Sequence, residues 1–388
     1  MGLARKIFWG SVAGLVHTHV TYPLSLAALA RLRERRNDAA GPEAGEATAA
    51  PSSEPPRISL IVAAFDEEEV IAAKVSDALA QAYPRDRLEL IVASDGSSDR
   101  TVELARAAGA DMVLDLPRAG KMATQNAAVE RASGEILAFS DANSTWRPGA
   151  LAALAAAFDD PAVGYACGRV RFAEAEADNE EGLYWRYEMA VRGLESALGG
   201  ITAGNGGIYA VRRSAYRFLG PSRSHDLSLP FALRKEGWRS VDVPAAAADE
   251  KLVPTAAGEF ARKRRMMVGL PDIVIADRMW DLRGYGPLYG YEIVSHRLLR
   301  YASPLLHVAA LASNLLLLRR GRIYRLALTA QAAVLAAAAV GGAAPGPLAR
   351  AGRIARYYVH VTAAIALGFW DRRRNGPPGA WEKSEGTR

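Results

Sequence analysis

Leu90-Ile91-Val92-Ala93-Ser94-Asp95-Gly96-Ser97-Ser98-Asp99-Arg100-Thr101 is an apolar, largely β-branched run that stops at an acid, a glycine and small hydroxyl residues. That is the pattern of a buried strand ending in a tight turn, with a helix starting near Asp99 or Thr101. Ligands of open α/β sheets bind outside the carboxyl ends of the strands, which puts Asp95 where a ligand would be held. Two other stretches repeat the design. Ile58 to Ala64 runs into Phe65-Asp66-Glu67-Glu68-Glu69, and Glu135 to Ser140 runs into Asp141-Ala142-Asn143-Ser144. Three strands ending this way gather acids on one rim of one sheet, and their mutual repulsion is costly unless a cation or hydrogen-bond donors are bound there. The alternative is that each acid simply caps the helix that follows it.

Around these strands the periodicity switches between two and 3.6. Val70, Ile71, Val75 and Leu79 mark a helix from about 68 to 82, and further helices are expected at about 100–108, 122–132 and 148–158. Strands alternating with helices imply a parallel, doubly wound sheet. Later stretches read as a strand over 163–172, a helix over 180–198, a strand over 208–211 and a helix opening at Ser224-His225-Asp226.

The ends of the chain are different. Of 388 residues half are apolar, and the formal charge of +6 is carried by arginine runs beside apolar segments: 31–36, 319–325 and 372–374. Basic clusters flanking apolar stretches suit a membrane protein, whereas a nucleic-acid binder more often interleaves them with aromatics on a polar face. Residues 8–30 are long enough to cross a bilayer, with a kink expected at Tyr22-Pro23; a cleaved signal peptide is the competing reading. Three apolar stretches follow at about 303–318, 325–344 and 357–370, two of them short for a full span. The single cysteine, Cys167, excludes an internal disulfide and a cysteine-based zinc site. The expected division is an N-terminal membrane segment (1–36), a linker (37–57), a catalytic domain (58–270), an interfacial segment (271–302), a C-terminal membrane region (303–371) and a polar tail (372–388).

The ordered set ISLIVAAFDEEE, SDGSSDRT, GK and SDAN resembles the nucleotide-binding half of family 2 glycosyltransferases, and most closely the membrane-embedded branch of cellulose, hyaluronan and exopolysaccharide synthases. The resemblance implies an α/β, GT-A-like (Rossmann-like) fold with a mostly parallel sheet and flanking helices, plus N- and C-terminal transmembrane helices. It places the base and ribose of a UDP-sugar against Ala64, Asp66, Glu67 and Asp95, and gives Lys121 to the pyrophosphate or base. Asp141 and Asn143 stand at the family's D-x-D strand end, which binds Mg²⁺ or Mn²⁺; here the second acid is a neutral amide. Asp226 matches the acid that acts there as general base, preceded by His225 where an acid is usual, and a charged His225 would lower the pKa of Asp226. Arg262 and Arg265 match an arginine motif that closes over the diphosphate, ending in Met266 where an aromatic is usual. Asn205 and Gly206 fall where the resemblance implies a loop that forms part of the acceptor site.

The function expected is an inverting transferase moving a sugar from a UDP-sugar to a polysaccharide or lipid-linked acceptor at the inner membrane, with its catalytic domain cytoplasmic. Other polysaccharide-synthesis proteins are possible partners, and nucleic acid is not. Two rivals remain: a single-sugar transferase acting on an isoprenoid-linked lipid, and a catalytically silent scaffold of a polysaccharide-synthesis complex. A dinucleotide-dependent oxidoreductase is disfavoured, because no G-x-G-x-x-G follows the first strand.

Overall fold

The computed structural model describes residues 2–40, 54–172, 180–251, 255–341 and 347–377. Most of the expected linker (41–53) and most of the polar tail (378–388) lie outside the described residues; residues 37–40 continue a helix rather than opening the linker.

Eight strands form one sheet: β1 (Ile58–Ala64), β2 (Leu88–Asp95), β3 (Met112–Leu116), β4 (Ile136–Asp141), β5 (Thr145–Trp146), β6 (Val163–Phe172), β7 (Ile208–Arg212) and β8 (Arg239–Glu250). Their spatial order is β3-β2-β1-β4-β7-β6-β8-β5. The first four strands are mutually parallel, as the alternation of strands and helices requires. The second half corrects the simple doubly wound expectation. β7 is antiparallel to both β4 and β6, and β5 is antiparallel to β8, so the sheet is mixed.

The sequence reading overlooked β8. Its Ala-rich run with Pro244 has the composition that strands avoid. It becomes a strand by pairing with β6, whose register slips between Cys167↔Asp242 and Arg169↔Ala247. Pro244 falls in that slipped stretch and is exposed, so the missing N–H removes no ladder bond.

Alternation at period two gives the sheet two apolar faces. Leu60, Val62, Leu90, Val92 and Ala138 pack under α3 (Ile71–Leu79), α4 (Thr101–Ala107) and α6 (Ala150–Ala156). Ile61, Ile91, Ala93, Leu137 and Phe139 pack under α5 (Lys121–Arg131) and α8 (His225–Lys235). Gly134, just before β4, lies so close to β1 that a Cβ would meet the Ile58 carbonyl carbon at 2.7 Å, and its N–H donates to Ser59 Oγ at 2.8 Å. Overpacking against backbone cannot be relieved by a rotamer change. Gly134→Ala is therefore expected to destabilise the domain by about 1–3 kcal/mol, read as a drop in the urea midpoint.

The chain opens with α1 (Gly2–Val16), a π-helical turn (His17–Thr21) and α2 (Tyr22–Ala40). Pro23 has no N–H, so the His19 carbonyl four residues back loses its helical donor; Tyr187 Oη donates to it instead, at 3.1 Å. The expected kink at Tyr22-Pro23 is thus taken up by a π turn, with Tyr22 N–H bonded to the His17 carbonyl. Tyr187 belongs to α7 (Glu180–Leu198), along which α2 packs.

After the sheet come α9 (Ala256–Met267), α10 (Pro287–Glu292), a π turn (Ile293–Leu298), α11 (Leu299–Tyr301), α12 (Ser303–Leu317), α13 (Arg322–Val340) and α14 (Pro347–Asn375). Among the described residues, α13 is long and apolar enough to cross a bilayer. A second span arises if 287–320, bent by 65°, counts as one. The N-terminal stretch 8–30 is helical throughout but is interrupted by the polar run His17-Thr18-His19 and does not qualify as an apolar span, and 357–370 is part of a longer, arginine-rich helix. Leu305, Val308 and Leu316 on α12 and Leu326 and Leu335 on α13 are nevertheless exposed, as are Leu3 and Trp9 on α1, which packs along α12.

Candidate active site

The carboxyl ends of β2, β4 and β8, the start of α5 and the first turn of α8 converge on one cluster. Asp141 ends β4, and the Lys121 ammonium donates to its carboxylate; each side chain is 26 % exposed. Lys121 also lies in the fields of Asp226 and Glu250. Burial works against its charge, but the three carboxylates outweigh burial and hold the amine above its ordinary value.

Glu250, at the end of β8, is a site residue that the sequence reading missed. Burial raises its pKa first and the charge of Asp141 adds to this, while the Ser144 hydroxyl bond, Arg262 and Lys121 oppose. The signal that could have found it is the one used for Asp95 and Asp141, an acid at a strand's carboxyl end, hidden here because β8 itself does not read as a strand. Lys74 was missed as well. Almost wholly buried, it donates to the Ser144 carbonyl at 2.6 Å and to Asp77 at 3.1 Å, fixing the turn that carries Asp141 and Asn143. Asn143 is half-buried in that turn.

Asp95 is fully buried. Its Oδ1 accepts the N–H groups of Ala119 (2.7 Å) and Gly120 (2.9 Å), and Oδ2 accepts Gly120 N–H at 3.1 Å. The carboxylate that sequence reasoning offered to a base therefore anchors the turn before α5, and by that means sets Lys121. Ala64 is buried, and the turn after it crosses to the next loop. Asp66, at φ +50°, accepts Ser98 N–H at 2.7 Å, while Glu67 N–H donates to Thr101 Oγ1 at 2.7 Å. The Arg118 guanidinium lies 3.2 Å from the Phe65 ring centroid, closing these two turns over one another.

Asp226 is half-buried in the first turn of α8, and its carbonyl accepts Gly204 N–H at 2.7 Å. His225 beside it is clamped between Tyr209 Oη on Nδ1 (2.6 Å) and Tyr216 Oη on Nε2 (3.0 Å), with Phe139 against its edge. Burial, helped by Lys121, presses its pKa down to about 3, so the ring is neutral. This corrects the expectation that a charged His225 lowers the pKa of Asp226. A group whose folded pKa is depressed contributes stability that is full above its unfolded value near 6.5 and is lost as pH falls toward 3. His225→Gln is therefore expected to flatten the loss of melting temperature between pH 6.5 and 4 relative to the parent. At pH 7 it should cost about 1–3 kcal/mol for the buried hydrogen bonds lost by Tyr209 and Tyr216, which then keep only Gln125 and Asn126 as partners.

Asn205 does not face the cluster: its amide donates to the Gly168 carbonyl (2.8 Å) and its oxygen accepts Ile208 N–H (3.2 Å), bracing the loop. Gly206 does face it. A Cβ there would stand 3.7 Å from both Asp141 Oδ2 and Lys121 Nζ, so glycine keeps the floor open. Arg262 is paired with Glu259 of its own helix at 2.8 and 3.0 Å while remaining in the field of Glu250. Arg264 is tied to Asp371 of α14. Arg265 is half-buried on α9, and Met266 is 55 % exposed.

Among the described residues no group of three or more His, Cys, Asp or Glu is arranged to hold a metal ion. The donor chemistry still fits a hard divalent cation. Such ions are held through one or two carboxylates with the remaining ligands from substrate phosphates, and here an ammonium already sits on Asp141, in the fields of Glu250 and Asp226.

Residues 59–220 match the family model described as Glycosyl transferase family 2. An N-acetylglucosaminyltransferase of Rhizobium leguminosarum bv. viciae is 26 % identical over 271 residues, 62 % of this chain and 63 % of the relative. A beta-monoglucosyldiacylglycerol synthase of Trichormus variabilis is 28 % identical over 259 residues, 58 % of this chain and 54 % of the relative. The match thus spans 63 % and 54 % of the length of these curated relatives, less than two thirds of either. A mannosyltransferase of Pyrobaculum calidifontis, PcManGT, solved in complex with GDP-Man and Mn²⁺, superposes with a TM-score of 0.71 at 22 % identity. The match covers 96 % of this chain and 99 % of that one, and it is a likeness of fold.

Proposed function

We infer that this chain, whose residues 59–220 match the Glycosyl transferase family 2 model, is an enzyme that moves a sugar from a UDP-sugar to a polysaccharide or lipid-linked acceptor, with inversion at the anomeric carbon. The observation that carries this reading is the cluster of Asp141, Asp226 and Glu250 around the Lys121 ammonium at the carboxyl edge of the sheet.

Lys121 offers a cation for the diphosphate, and Gly206 leaves room beside it. Asp226 is the base: it takes the proton of the acceptor hydroxyl as that oxygen bonds to the anomeric carbon and the bond to the nucleotide's phosphate oxygen breaks. A single displacement of this kind inverts the carbon. Asp141, with Glu250 and Asn143, would hold Mg²⁺ or Mn²⁺, whose chemistry is to neutralise charge on the departing diphosphate. Arg262 and Arg265 reach the same diphosphate if Arg262 exchanges Glu259 for it.

The exposed apolar faces of α1, α12 and α13 support a place at the inner membrane, with the sheet domain cytoplasmic. Attachment of one sugar to a lipid is the second reading. It is supported by the exposed Met266 where an aromatic would stack on a growing polymer, and by a relative named for a diacylglycerol product.

The test is UDP release by the detergent-solubilised full chain across a panel of UDP-sugars with Mn²⁺. Release from one donor supports the enzyme and names the sugar. Binding of UDP without release from any donor favours a silent scaffold, and absence of UDP binding sinks the reading.

A further inference from the structure

Away from the acid cluster, a cavity of about 500 Å³ lies among α7, α14, the π turn of the N-terminal helix and the end of α11. It is large enough for most of a small ligand. Its walls are mainly apolar, with Val361 and Ile365 beside the rings of Tyr184, Tyr187, Tyr357 and Tyr358. Besides the hydroxyls of the tyrosines, Ser303 and Thr362, two nitrogen-bearing groups interrupt them. Arg300, 6 % exposed, directs Nη1 to Glu188 (2.6 Å) and to Tyr184 Oη (3.0 Å), while its Nε and Nη2 have no hydrogen-bond partner among the described residues. His19 Nε2 is likewise buried and unpartnered, its ring edge-on to Tyr358 at 5.3 Å.

Unmet buried donors are expensive, by about 1–3 kcal/mol each and more when charged. A guanidinium presents five N–H groups in a fork suited to planar or tetrahedral oxyanions. A pocket with greasy walls and unmet cationic donors is complementary to an amphiphile whose head is an oxyanion. The setting agrees. Ile354, which lines the cavity, is 44 % exposed, so the apolar wall continues to the exterior. On the inner side, Lys263 lies 5.0 Å from the Tyr357 ring, and Tyr301, next to Arg300, is within the field of Asp226.

We propose that this cavity binds a membrane amphiphile with an anionic phosphate head, the head on Arg300 and His19 and the first part of its hydrocarbon tail along Val361, Ile365 and Ile354. The occupant is a lipid rather than free phosphate, because most of the exposed lining is apolar and its nitrogen-bearing groups, Arg300 and His19, offer no more than a headgroup's worth of chemistry. The proposal does not depend on the donor reading, since none of these side chains belongs to the acid cluster.

The experiment is equilibrium binding to the detergent-solubilised full chain, titrated separately with dodecyl phosphate, dodecanol and inorganic phosphate, with UDP titrated in parallel. The parent is expected to bind dodecyl phosphate at least tenfold more tightly than dodecanol, and inorganic phosphate more weakly than either. Arg300→Gln should bring the phosphate-to-alcohol ratio close to one. Because that change also strips Glu188 of its partner, Val361→Trp provides the independent check: it fills the cavity without touching the ion pair and should weaken both amphiphiles at least tenfold. Unchanged UDP affinity in both variants would show that they are folded. Equal binding of dodecanol and dodecyl phosphate by the parent would overturn the proposal. So would undiminished binding by a folded Val361→Trp variant, or inorganic phosphate binding as tightly as its dodecyl ester. Dodecyl phosphate binding without UDP binding would leave the cavity assignment standing and remove the donor reading; the reverse would do the opposite.

Discussion

Asp226→Asn is expected to lower sugar transfer by about 10²–10⁴-fold while leaving the affinity for UDP within about twofold of the parent. The substitution keeps the shape of the side chain and removes its negative charge, and with it its capacity to take a proton. The local fold does not depend on that carboxylate, for the structural bond at this position comes from the Asp226 carbonyl, which receives Gly204 N–H. The base also works without help from its neighbour. His225 is neutral and held by two tyrosine hydroxyls, so it neither competes for the proton nor pairs with Asp226. A loss confined to turnover, measured as UDP release with saturating donor, identifies a group acting on the reacting atoms. Retention of full transfer by the Asn variant would remove Asp226 from the mechanism.

The parts of this protein that were legible in its sequence are those in which local pattern and tertiary role agree. β1, β2 and β4 are largely apolar, buried runs; β2 and β4 end in Asp95 and Asp141, and β1 runs into Asp66 in the turn that follows it. Lys121 and Gly206 were singled out by resemblance to the motifs of a known family, and both lie beside Asp141. What was hidden depended on partners distant in the chain. β8 is a strand because β6 pairs with it, so Glu250 carried no signal of its own. Lys74 reads as a surface lysine in an amphipathic helix, yet its ammonium is buried against the Ser144 carbonyl seventy positions away. Asp95 was assigned correctly to a strand end, but composition could not tell an acid facing a ligand from one facing the Ala119 and Gly120 amides. Asn205 misled for the same reason, as its amide is satisfied by the loop's own backbone.

Removing Asp141 should have an effect as large as removing the base, but with a different signature. In the parent, the Lys121 ammonium rests on Asp141 with Asp226 and Glu250 in its field, so one cation is shared among three carboxylates. Asp141→Ala leaves that ammonium to the other two acids, drawing Lys121 toward them and away from the diphosphate. It also removes one source of the upward shift of Glu250, whose pKa should fall. Transfer is then expected to drop about 10³-fold, roughly the loss that follows deletion of one preorganised charge-stabilising group. The dependence of UDP release on added Mn²⁺ should flatten across the whole titration. Stability should fall, because the pair that is broken is about three-quarters buried and removing one partner leaves the ammonium inside with only two further acids to answer it. These readouts separate roles that activity alone would merge. A base variant keeps the Mn²⁺ dependence of its residual activity, whereas the Asp141 variant loses it. If Asp141→Ala kept both its rate and the parent's Mn²⁺ curve, Asp141 would be no more than Lys121's structural partner, and the charge on the leaving diphosphate would have to be met by Lys121 and the α9 arginines.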